Sequence, residues 1–122
     1  MLSTGSGEVS DKKVANILAK ARSMDKTLAR RIERFLDSIL RIETNSFDPL
    51  SVHRSWWLLK KYVRENFFDK KRVKEGKIIY KILVGLNQVM HRLLEDLPKN
   101  SPKRRYIEEI TDCIENFLEE LE

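Results

Sequence analysis

From Lys77 to Leu97 the apolar residues Ile78, Ile79, Ile82, Leu83, Leu86, Val89, Met90, Leu93, Leu94 and Leu97 return at intervals of three and four. That spacing follows the 3.6-residue turn of an α-helix and not the two-residue period of a strand. Ten such positions make an arc too wide to leave in water. A chain built around this segment must therefore supply other helices to cover it.

The rest of the chain offers such helices and marks their ends. Ser10 is the expected cap of a first helix with Val14, Ile17, Leu18 and Ala21 on one side. Asp25 starts a second, carrying Leu28, Ile32, Phe35, Leu36 and Ile39, unless the two run together as one bent helix. Asp48-Pro49 opens a third that reaches about Phe67, because a proline in the first turn gives up no hydrogen bond. A basic connector, DKKRVKEG, leads into the fourth, and Pro98 ends it. Ser101-Pro102 opens a fifth, with Ile107, Ile110, Ile114, Phe117, Leu118 and Leu121 turned inward. Gly85 lies just off the fourth helix's arc, where a neighbouring helix can approach closely. The expectation is an all-α fold, a compact single-domain bundle of about five helices over 10–122 behind a flexible tail at 1–9.

Composition removes several classes of function. No apolar run nears the ~20 residues needed to span a bilayer. The first residues, MLSTGSGEVSDKK, lack the basic and apolar blocks of a secretory signal. The single Cys113 excludes an internal disulfide, and the two histidines, His53 and His91, stand in no metal-ligand spacing. Both histidines read as surface or boundary residues, and Cys113 has no activating base nearby in sequence. Neither a glycine-rich phosphate loop nor a nucleophile elbow occurs. A non-enzymatic protein without metal or cofactor, in the cytoplasm or nucleoid, is the expectation.

Charge is distributed unevenly. Residues 1–48 carry a net +2, 49–97 carry +6 and 98–122 carry −3. Residues 54–81 alone hold ten Lys and Arg, three acids and six of the ten aromatics. At 100° per residue, Val52, Trp56, Leu59, Val63 and Phe67 form the inward stripe of the third helix. Arg54, Trp57, Lys61, Arg64 and Phe68 form a second stripe about 140° away. The adjacent tryptophans should therefore face apart, Trp56 into the core and Trp57 among cations.

Cations beside an exposed indole suit a nucleic acid: Lys and Arg neutralise phosphates, and a base can stack on the ring. The connector extends this surface with Lys70, Lys71, Arg72 and Lys74. Lys103, Arg104 and Arg105, in the first turn of the fifth helix, are a second candidate element. The bland alternatives are a Trp57 covered by another helix, solvated basic loops, and ion pairs within the bundle. Arg30, Arg31, Arg34 and Arg41 read as a solvated face, with Arg30–Glu33 and Asp37–Arg41 as local pairs. The expected partner is DNA or RNA, held without sequence readout by an accessory subunit of a larger assembly. The rival is a protein–protein module, homodimer or adaptor, using Trp57, Phe68 and the acidic last helix.

Overall fold

Asp25 divides the first helical stretch in two. Its extended backbone (φ −163°, ψ 120°) leaves the helical region, and its carboxylate accepts the Leu28 amide at 3.0 Å. The second carboxylate oxygen accepts the Tyr62 hydroxyl at 2.8 Å. One side chain thus caps a helix and ties it to another, which excludes the single bent helix.

The computed structural model describes residues 5–42, 45–68 and 73–121, with the backbone alone for 5–11. Five α-helices and no strand occur among the described residues: α1 Gly5–Met24, α2 Lys26–Leu40, α3 Pro49–Phe67, α4 Val73–Asp96 and α5 Pro102–Leu121. Each packs on the next to form a closed ring in the order α1, α2, α3, α5, α4 and back to α1. Its interior is one apolar cluster to which every helix contributes. At Gly85 of α4, an added Cβ would lie 3.1 Å from Ile17 Cδ1, so the missing side chain makes room for α1.

The neighbours' directions follow from their side-chain pairs. Asp25 meets Tyr62 and Ser38 meets Ser55, so α2 and α3 are antiparallel. His53 meets Glu109 and Arg64 meets Glu120, so α3 and α5 run parallel.

Three expectations about helix limits and faces are corrected. α1 begins at Gly5, so Ser10 lies inside it and is no cap; residues 1–4 of the expected tail lie outside the described residues. α4 begins at Val73, four residues before Lys77, so Lys74 belongs to a helix and not to a connector. Ile78 is 42% exposed, because it stands about 80° from the centre of α4's buried arc. The caps at Asp25 and Asp48 and the Pro49 start of α3 are where the sequence places them.

Trp56 fixes the rotation of α3. Its ring lies 5.6 Å from Phe35 of α2 and 5.8 Å, edge-on, from Phe117 of α5. Val52, Leu59, Val63 and Phe67 are buried on the same stripe. Replacing Trp56 by Ala should destabilise the protein by about 3–5 kcal/mol, whereas Trp57→Ala should stay within about 0.5 kcal/mol of wild type. Urea unfolding of the two variants checks this; equal losses would mean that the helix is rotated otherwise.

Candidate nucleic-acid interface

One residue beyond Trp56, the helix has turned by about 100° and Trp57 stands 52% exposed. The Lys61 ammonium sits over its ring at 5.1 Å from the centroid. This is an i, i+4 cation–π contact, one turn along the same helix. Arg54, one turn in the other direction, is exposed as well. Arg54, Trp57 and Lys61 are therefore brought together on the outside of α3, as the helical period requires.

The stripe changes character towards its C-terminal end. Arg64 grips Glu120 of α5, donating from Nη2 at 2.6 Å and from Nε at 3.2 Å, and its guanidinium carbon lies 5.5 Å from the Phe117 centroid. Phe68 is 42% exposed but stacks on Phe117 (5.8 Å, 13° between planes). Both residues serve first as the clasp of the α3–α5 pair. The sequence does not name Glu120 as the partner of Arg64, because it lies 56 positions away and is supplied only by the parallel packing.

Arg104 has an internal role too. Its Nη1 donates to the carbonyls of Leu94 (2.7 Å) and Leu97 (3.1 Å), and its Nε to Glu108 (3.2 Å). Helix ends leave carbonyls without intrahelical partners, and a cation there also answers the helix dipole. Arg104 thus closes the C-terminal end of α4. Lys103 places its ammonium 5.9 Å from the Phe47 ring, Arg105 is exposed, and Lys74 is exposed in the first turn of α4. Lys70, Lys71 and Arg72 lie outside the described residues.

The acidic helix α5 sets carboxylates beside side chains of α3 and α4. Besides Glu108 and Glu120, Glu109 lies 3.7 Å from His53 and Glu115 lies 3.3 Å from His91. His53 is a half-buried residue and His91 an exposed one, and both face α5. Among the described residues no group of His, Cys, Asp or Glu could hold a metal ion, and no helix is long and apolar enough to cross a membrane.

Two features of the site went unread in the sequence. Leu50, 78% exposed, lies seven residues before Trp57, nearly two whole turns, and so extends its line along α3. A lone leucine in a first turn carries no signal of this. The second feature is a groove between α2 and α3, lined by Arg34, Arg41 and Arg54. The expected Arg30–Glu33 pair is replaced by Arg22–Glu33 at 3.5 Å, across the α1–α2 boundary.

Comparison with protein-family models, with curated proteins and with solved structures found no match to this chain.

The Arg64 clasp has a titration signature. The hydrogen bonds from Arg64 hold the Glu120 carboxyl below its ordinary value; desolvation opposes them, and the weaker pull of the Arg64 and Lys60 charges adds to them. For an acid so shifted, the stabilising effect is complete above the ordinary carboxylate pKa and is lost as pH falls through the lowered one. Carboxyl-carbon NMR should place the Glu120 midpoint below the ordinary value in wild type and return it towards that value in Arg64→Gln. An unchanged midpoint in the variant would contradict the clasp.

Proposed function

We propose that the protein is a non-enzymatic nucleic-acid-binding module, an accessory subunit of a larger nucleic-acid-processing assembly in the cytoplasm or nucleoid. The observation that carries this reading is the half-exposed Trp57 ring, flanked by Arg54 and capped by the Lys61 ammonium. An indole of this kind is a stacking platform for any base, and the cations beside it answer phosphate charge. Lys predominates in the connector and the sequence holds no recognised DNA- or RNA-reading module, so binding rests on the backbone and is insensitive to sequence. Lys74 and Arg105 are further exposed cations, and Lys70, Lys71 and Arg72 add positive charge in composition. Arg64, Lys103 and Arg104 have contacts within the fold, so their contribution to binding is secondary.

A second reading is favoured by one observation: Leu50, Trp57 and Phe68 lie along one line of α3 and are all exposed. Such a row suits a protein partner or a second copy of the chain, with aromatic anchors at its centre.

Titration of a labelled oligonucleotide across a salt series separates the two. Wild type should bind with an affinity that falls steeply as salt rises. Trp57→Ala should weaken binding about tenfold, in line with ~1–3 kcal/mol per stacked base, and Lys61→Glu should weaken it and flatten the salt dependence. Oligonucleotide binding that ignores both substitutions would remove the nucleic-acid reading. A concentration-dependent dimer in which Trp57 loses its accessibility, with no oligonucleotide response, would favour the second.

A further inference from the structure

We infer that the groove between α2 and α3 holds the sugar–phosphate backbone of a single strand whose base stacks on Trp57, so that the ligand is single-stranded nucleic acid. This rests on the proposed function and extends it to a site that the α3 stripe does not contain.

The groove follows from the antiparallel crossing of α2 and α3. Small side chains at the contact, Ser38 and Ser55, sit 3.1 Å apart at their hydroxyls and let the helices approach closely. Larger residues at the margins then stand over a cleft of about 330 Å³. Arg34 and Arg41 reach it from α2 and its C-terminal end, and Arg54 reaches it from α3. A second depression, lined by Arg22, Lys26 and Arg30, shares Arg34 with the first. The two together form a continuous track along α2, about 22 Å long for its fifteen residues. Six cations line the track against three carboxylates, Glu33, Asp37 and Asp48.

The donors for a phosphate are the guanidinium groups. Ser38 and Ser55 already donate to the carbonyls of Phe35 and Val52, and Ser51 donates to Asp48. Asp48 is further engaged as the cap of α3 through the Leu50 amide. Arg34 and Arg54 make no hydrogen bond or ion pair among the described residues. Planar guanidinium groups suit phosphate oxygens better than any other side chain.

Arg54 joins this track to the indole. It lines the groove and also precedes Trp57 by three residues, which on a helix makes the two side chains neighbours. A strand lying in the groove therefore passes within reach of the ring. Only an unpaired base is free to turn onto it, because bases in a duplex are stacked on each other. A duplex could use the cations but not the platform.

The test uses the full chain and a fluorescein-labelled oligothymidylate of about twelve nucleotides, read by anisotropy over a salt series, with a duplex of the same length beside it. Wild type should bind the single strand more tightly than the duplex. Arg34→Gln/Arg41→Gln should weaken single-strand binding about tenfold and lower the slope of log K against log salt by about 1.4, two contacts at ~0.7 each for single strands. Lys20→Gln/Lys99→Gln, which removes the same charge elsewhere, should change neither by as much. Should loss of Arg41 disturb the α2 end, as a lowered melting temperature would reveal, Arg34→Gln alone is read, with about 0.7 of slope. If Trp57→Ala weakens binding while the groove variant matches the Lys20/Lys99 control, the groove inference is overturned and the proposed function stands. Duplex binding as tight as single-strand binding overturns the assignment of ligand. No binding by wild type overturns both.

Discussion

The packing of Trp56 between Phe35 and Phe117 is the constraint on which the remaining geometry depends. An indole wedged between two rings, one from each neighbouring helix, leaves α3 no freedom to rotate. Burial of an aromatic this size is worth several kcal/mol, far more than any surface contact that α3 makes. Everything on the outside of the helix is then set by arithmetic. Trp57 must point about 100° away, and Arg54 and Lys61 must flank it. The exposed ring is thus a consequence of the buried one. Leaving an indole half in water has no stabilising purpose of its own, which is why the functional reading starts there.

Charge is organised by the same packing. The acidic α5 lies between α3 and α4, and its carboxylates meet Arg64, His53, His91 and Arg104 along its length. These pairs are exposed, so each contributes little to stability. The Arg64–Glu120 pair also cancels a positive charge where α5 touches α3. Cations without an ion pair among the described residues include Arg54 and Lys61 on α3 and Arg30 and Arg34 on α2, together with lysines on α1 and α4. The overall +5 therefore understates the local asymmetry that a polyanion would meet.

The fold was legible in the sequence because its signals are local. Proline after Asp48 and after Ser101, the cap at Asp25, and apolar residues at helical spacing each act within a few residues. The inward stripe of α3 could be named residue by residue for the same reason. What could not be read is whatever depends on which helices become neighbours. The internal role of Arg104 was not legible because the carbonyls it satisfies lie at the end of the preceding helix and just beyond it. The partner of Arg64 arrives through a parallel pairing that no local pattern announces. Arg34 and Arg41, set aside as a solvated face, gained significance only when the α2–α3 crossing brought Arg54 beside them. The exposure of Trp57 was legible, whereas its surroundings on the α2 side were not.

The two indole N–H resonances test the central claim most directly, since the chain has only these two tryptophans. In a two-dimensional nitrogen–proton spectrum, the Trp56 signal should exchange slowly, its indole nitrogen being buried, and the Trp57 signal should exchange rapidly with water. Adding a single-stranded oligonucleotide should move the Trp57 peak and leave that of Trp56 in place. Two protected indoles, or an exposed one that ignores the oligonucleotide at saturating concentration, would contradict the account.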